Sequence, residues 1–218
     1  MRILAALVLT SLSASAALAE DFVGRANVID GDTIEVSGEH LRLAGIDAPE
    51  TGQRCVGAGR KIIRPGDTAK ERLATMVSKG VRCTSADRDQ YGRPVAHCVA
   101  SDGTDINRSM VAEGLAWAFT KYSDEYLPEQ DKASAAHVGV WALACDTPWG
   151  FRSKRWDVAV QKAPEGCPIK GNISGNGRIY HLPWDRFYIR TKIDTDKGER
   201  WFCDEGQAVA AGWRRAKQ

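Results

Sequence analysis

Between residues 22 and 46 the chain alternates apolar and polar side chains in short runs, each closed by turn-forming residues. Ile34 and Val36 flank Glu35, and Leu41 and Leu43 flank Arg42. This period of two predicts half-buried strands, with Arg42 facing away from the leucine side. The turn sequences at 30–32 (DGD) and 37–39 (SGE) make the segment a β-meander. A longer period follows at residues 68–80, where Thr68 and Glu71 have capping-box spacing, Leu73, Met76 and Val77 form the apolar stripe and Gly80 is the stop. Residues 81–83 and 94–100 read as strands bracketing a charged loop. Asp105 is placed to cap a helix reaching Gly114, and Pro128 to open another running toward Val138. Strands, helix, strands and helices in that order predict an α+β fold, a small barrel with helices packed at its ends.

The two ends of the chain differ from this middle. Arg2, the uncharged run 3–12 and the small-residue stretch 14–19 have the order of a secretory signal peptide cleaved after Ala19. The apolar run is about half of the ~20 residues a spanning helix needs, so no stable membrane insertion is expected after cleavage. The reading predicts a periplasmic or secreted protein, with residues 20–160 as the main domain. QKAPEG, around residues 161–166, reads as a linker. Residues 161–218 then form a small C-terminal α/β module, rich in Gly, Asn and aromatic residues, with one short helix between Asp204 and Gly212. All six cysteines would meet an oxidising compartment, where pairing is the default. Cys83 and Cys98 sit on the two strands flanking the charged loop, Cys167 and Cys203 near opposite ends of the module, and Cys55 and Cys145 remain as the third pair.

Charge narrows the function classes little. Thirty Lys and Arg against 28 Asp and Glu leave +2, so a polyanion ligand would need a local basic groove rather than the global field. Lys61, Arg64, Lys70 and Arg88 are candidates to border one, and Arg186, Tyr188, Arg190, Trp213 and Arg214 mix basic and aromatic character as a single-strand binder does. Trp117, Trp141, Trp149 and Trp156 are expected in the core. The sequence has no H-E-x-x-H, no G-x-x-x-x-G-K and no C-x-x-C, and His40, His97, His137 and His181 stand apart from zinc-ligand spacing. What remains is a concentration of acids and arginines: Asp30, Asp32, Arg42, Asp47, Glu50 and Arg93. Carboxylates that meet with a carbonyl suit a hard cation, and paired guanidiniums suit a phosphate whose oxygens gain charge.

The runs VIDGDTIEV, LRLAGIDAPE and DQYGRPVA, followed by NRSMVAEGLAWA and GVW, resemble the staphylococcal nuclease (thermonuclease) family in order and spacing over residues 23–152. The resemblance implies an OB-fold, a five-stranded β-barrel with packed helices, and a Ca2+-dependent phosphodiesterase that cleaves DNA and RNA to 3′-phosphate products. By the same resemblance Asp32, Asp47 and the carbonyl of Ala48 would bind calcium, and Glu50 would stand next to the attacking water. Arg42 and Arg93 would bind phosphate, and Tyr91 and Tyr122 would contact the nucleotide. The alternative is a catalytically inactive OB-fold that binds nucleic acid or another polyanion.

Overall fold

A computed structural model describes residues 19–216, so the expected signal peptide lies outside the described residues except for Ala19. Strands β1 (Glu20–Gly24) and β2 (Ala26–Val28) are one extended run broken at Arg25. β3 (Thr33–Val36), β4 (Glu39–Leu43) and the two-residue β5 (Ile46–Asp47) follow. After the short pair β6 (Cys55–Val56) and β7 (Ile62–Ile63) come α1 (Pro65–Val77), β8 (Val81–Arg88), β9 (Pro94–Ala100) and α2 (Ile106–Ala112). Next are β10 (Trp117–Ala118), α3 (Leu127–Ala135) and α4 (Pro148–Val160). The main sheet runs β1-β8-β9-β4-β3-β2, with β4 and β9 parallel and the other pairs antiparallel. Because its two edge strands are consecutive pieces of one run, the sheet curls back on itself. Counting that run once gives five strands, which fits the expected OB-fold.

The curled sheet encloses Ile34, Val36, Leu41, Leu43, Ala96 and Cys98, and α1 adds Ala69, Leu73 and Val77 from one side. The buried Asn107 of α2 donates to the carbonyls of Ala44 and Ala96 at 2.9 and 3.1 Å and accepts from the Cys98 amide at 3.0 Å. Its side chain therefore replaces hydrogen bonds the sheet leaves open, which fixes α2 on the barrel.

Two helix readings need correction. Helix α1 begins at Pro65, three residues before Thr68, and its N-cap Arg64 makes no side-chain cap. Proline in the first turn, whose missing N–H costs nothing there, sets the start instead of the capping box. Helix α4 was not anticipated, although Thr147 caps it by accepting from the Gly150 amide and Pro148 opens it. Asp105 caps α2 as expected, accepting from the Arg108 amide. Trp117 is buried against Trp141, but Trp149 is 41% exposed and rests on Phe119.

The C-terminal residues form a second sheet ordered β13-β11-β12-β14, from β11 (Ile169–Ser174), β12 (Gly177–His181), β13 (Arg200–Phe202) and β14 (Arg214–Arg215). Helix α5 (Glu205–Ala210) is capped by Asp204 and covers Ile169, Tyr180, Leu182, Phe202 and Trp213. Trp156 of α4 packs into this second cluster, so α4 is tied to the C-terminal sheet.

The three expected disulfides, Cys55–Cys145, Cys83–Cys98 and Cys167–Cys203, are all formed. Cys55–Cys145 closes the longest loop, 90 residues. Replacing both of its cysteines by alanine should lower unfolding stability by about 4 kcal/mol on loop-entropy grounds. Urea titration under non-reducing conditions checks this, and a loss below about 1 kcal/mol contradicts it.

Candidate active site

Thr33 pairs with Arg42 across β3 and β4, and the Leu43 amide donates to the Asp32 carbonyl at 2.8 Å, so the turn bearing Asp32 lies beside Arg42. Gly31 lets this turn approach the loop after β5, because a Cβ there would lie 2.7 Å from the Ala48 Cβ. At that separation the Ala48 amide donates to Asp32 Oδ2 at 2.9 Å. Pairing of β5 with β10 sets Asp47 opposite Trp117. Glu50 follows on a loop held by Gln53, whose amide donates to the Glu50 carbonyl and whose side-chain Nε2 donates to the Asp146 carbonyl at 2.7 Å.

Asp32, Asp47 and Glu50 are buried, and two guanidiniums hold them. Arg42 donates to Asp32 Oδ1 and to Asp47 Oδ1, both at 2.9 Å. Arg152 of α4 donates to Asp47 Oδ1 and Oδ2 at 3.0 and 2.6 Å and to Glu50 Oε1 at 2.8 Å. Without such partners a buried carboxylate costs several kcal/mol. Sequence reasoning missed Arg152, which lies 105 residues from Asp47 along the chain. The Cys55–Cys145 bond and the paired amides and carbonyls of Val56 and Ala144 bring its helix to the Glu50 loop. The signal that was available is that same pair of cysteines, which already tied residue 145 to the loop after Glu50.

Electrostatics separates the acids. Burial works against ionisation of Asp32, but Arg42, the Ala48 amide, Arg152 and Arg93 together hold its pKa below the ordinary value. Burial and the charge of Asp32 raise Asp30. Burial also raises Glu50, to about 8, against the opposing pull of Arg152 and Arg215. One acid stays ionised while a neighbour is poised to exchange a proton near neutral pH, the division of labour that acid–base chemistry needs.

The remaining expected residues lie at varying remove. Arg93 donates from Nε to Asp89 Oδ2 at 2.7 Å within its own loop, and its guanidinium lies 5.5 Å from the Tyr91 ring centre. Both line a cavity of about 520 Å³ that reaches Asp30. The opposite wall comes from the C-terminal sheet and α5, through Tyr180, Glu205 and Arg215. Tyr180 Oη donates to Glu205 Oε2 at 2.8 Å, and Arg215 donates to Asp185 at 3.4 Å. The walls of the cavity are thus not confined to residues 20–160. Tyr122 is 73% exposed, with its ring against Phe119 and Lys121, and no contact ties it to the carboxylates. Arg88 pairs with Glu20, and Lys70 donates to the Ile29 carbonyl at 2.7 Å.

Residues 40–143 match the staphylococcal nuclease homologue family. The chain is 34% identical over 151 residues to the micrococcal nuclease of Shigella flexneri, covering 61% of this chain and 81% of that protein. The chain belongs to the staphylococcal nuclease family. An uncharacterized endonuclease of Escherichia coli O157:H7 is 35% identical over 63% of this chain and 90% of its own length. The succinoglycan biosynthesis protein ExoI of Rhizobium meliloti is 38% identical over 64% of this chain and 73% of its own. The endonuclease relatives support a nuclease function, and Arg42, Asp47, Glu50 and Arg93 fall within the matched residues. Asp32, Arg152 and Arg215 lie outside the matched residues.

Gly66, in the first turn of α1, has no room for a side chain: a Cβ would overlap the Glu50 carbonyl oxygen and lie 2.7 Å from that of Pro49. Gly66→Ala should displace the Glu50 backbone and lower turnover by roughly 10², since small misplacements of reacting groups have effects of that size. Steady-state kinetics on the folded variant checks this, and wild-type turnover would contradict it.

Proposed function

We propose that this chain is an exported nuclease that hydrolyses phosphodiester bonds of DNA and RNA in a calcium-dependent reaction, leaving 3′-phosphate ends. The observation that carries the reading is the buried constellation in which Arg42 bridges Asp32 and Asp47 while Glu50 stands beside them with a raised pKa. Export is supported by the signal-like residues 1–19 and by three disulfides. Among the described residues no helix is long and apolar enough to cross a membrane.

Two carboxylates and a main-chain carbonyl, from Asp32, Asp47 and Ala48, are hard oxygen donors of the kind calcium takes. The Ala48 amide donates to Asp32 Oδ2 at 2.9 Å and Arg42 bridges Asp32 and Asp47, so the two segments that carry these donors are adjacent. Among the described residues no group of three or more His, Cys, Asp or Glu side chains is gathered as a metal cage, which leaves part of the coordination to water and substrate phosphate. Asp47 would hold the cation with the carboxylate that Arg152 engages at 2.6 Å. Bound calcium would supply Lewis-acid polarisation of the scissile phosphate.

The chain's own residues account for the rest. Ionised Glu50 orients and deprotonates a water for attack on phosphorus. Arg42, fixed by two carboxylates, presents a positive charge where the phosphate oxygens gain negative charge. Arg93, at the cavity wall, offsets charge on the departing 5′-oxygen, so that the P–O5′ bond breaks and the phosphate stays on the 3′-side. A gel assay of plasmid and RNA with calcium or excess chelator tests the reading, and full activity in chelator contradicts its calcium part.

Arg42→Ala, Glu50→Gln and Arg93→Ala should each lower turnover by roughly 10² or more, because these contacts strengthen in the transition state. Glu50 is competent only when ionised, so kcat/KM should rise about tenfold per pH unit below the raised pKa of about 8 and level off above it. Glu50→Gln should abolish that rising limb. A pH-independent wild-type rate between roughly pH 6 and 8 contradicts the assignment of Glu50 as the base.

A further inference from the structure

A second cleft, of about 540 Å³, opens beside the catalytic loop where Thr51 and Gly52 directly follow Glu50. Five arginines from four parts of the chain converge on it. Arg54 comes from the catalytic loop, Arg64 from the start of α1, Arg155 from α4, and Arg186 and Arg190 from the segment between β12 and β13. Among the described residues Arg54, Arg155, Arg186 and Arg190 make no ion pair, and Arg64 reaches Asp67 only at 3.9 Å. Two acids also line the cleft, Asp146, which pairs with Lys154 at 2.7 Å, and Asp185, which pairs with Arg215 at 3.4 Å. The five guanidiniums outnumber these two carboxylates, like charges in excess repel, and a polyanion relieves that repulsion.

The cleft also carries faces for bases. Phe187 and Ile189 are 43% and 73% exposed, and Phe151 lies alongside. The guanidiniums of Arg186 and Arg155 sit 5.6 and 5.9 Å from the ring centres of Phe187 and Phe151. Tyr188 and Trp213, expected from sequence to touch a strand, are instead buried, with Tyr188 Oη donating to the Pro168 carbonyl at 2.6 Å. Along the turns of residues 186–190 Tyr188 is buried, while Arg186, Phe187, Ile189 and Arg190 on either side of it are exposed.

We propose that this cleft binds a single-stranded stretch of polynucleotide continuous with the strand being cut. Guanidiniums hold its phosphates and the exposed rings stack its unpaired bases. A duplex keeps its base faces covered, which is why the rings select a single strand. Continuity with the cut strand rests on the nuclease reading. The C-terminal segment thereby extends the contact from the scissile phosphate to neighbouring nucleotides.

The test measures binding of a fluorescein-labelled oligothymidylate to full-length protein in chelator, by anisotropy across a salt series. The variant R54Q/R186Q/R190Q removes three exposed guanidiniums. The control R25Q/R82Q/R178Q removes the same charge from exposed positions elsewhere, and thermal melting verifies that both fold. The cleft variant should bind at least tenfold more weakly at about 0.1 M salt, with the slope of log affinity against log salt shallower by about 2, while the control stays within about twofold of wild type. Wild-type affinity and slope in the cleft variant, or an equal loss in the control, overturns the proposal. An equal loss on a blunt duplex overturns the single-strand assignment. Dinucleotide hydrolysis by the wild type separates the two levels. Hydrolysis together with undiminished binding by the cleft variant refutes the cleft alone, whereas no hydrolysis together with the expected binding loss refutes the nuclease reading alone.

Discussion

Three carboxylates, Asp32, Asp47 and Glu50, lie buried within reach of two shared guanidiniums, and their mutual repulsion would disperse them without Arg42 and Arg152. The surrounding architecture serves this clamp. Antiparallel pairing of β3 with β4 brings Arg42 to Asp32. Pairing of β5 with β10 fixes Asp47, and the Cys55–Cys145 bond joins the Glu50 loop to the start of the helix carrying Arg152. Gly31 and Gly66 leave the space in which the Ala48 and Glu50 backbones can approach.

The clamp also explains why the acids differ in character. Asp32 accepts from Arg42, Thr33 and the Ala48 amide and is held ionised, while Glu50 has Arg152 as its direct partner and burial dominates. Arg215 adds a second positive influence on Glu50 from the far end of the chain. Residues 148–216 therefore contribute to the electrostatics of chemistry whose motif residues end at Arg93.

Features written in local chemistry were legible from the sequence. Asp105 and Asp204 cap their helices through amides three residues ahead, and the period of two around Arg42 gave its strand. The family resemblance implied one site for Asp32, Arg42, Asp47 and Glu50, and hydrogen bonds from Arg42 and Arg152 join the three acids. Thr68 misled because a capping box and a first-turn proline offer competing starts three residues apart, and the proline prevailed. Arg152 was hidden because its partners lie 102 and 105 residues away, a proximity that depends on the Cys55–Cys145 disulfide and on the pairing of Val56 with Ala144. The arginine cleft was partly legible in the basic and aromatic composition of residues 186–190. Which of those side chains face outward required the fold.

The most direct test of the clamp is a double-mutant cycle between Arg152 and Asp47, read by urea unfolding of wild type, Arg152→Gln, Asp47→Asn and the double variant. Side chains joined by short charged hydrogen bonds in a buried site should couple by more than about 1 kcal/mol, with the double variant less destabilised than the sum of the singles. Additivity within about 0.3 kcal/mol would mean that Arg152 does not hold the carboxylates, and the account of the site built on that clamp would fail.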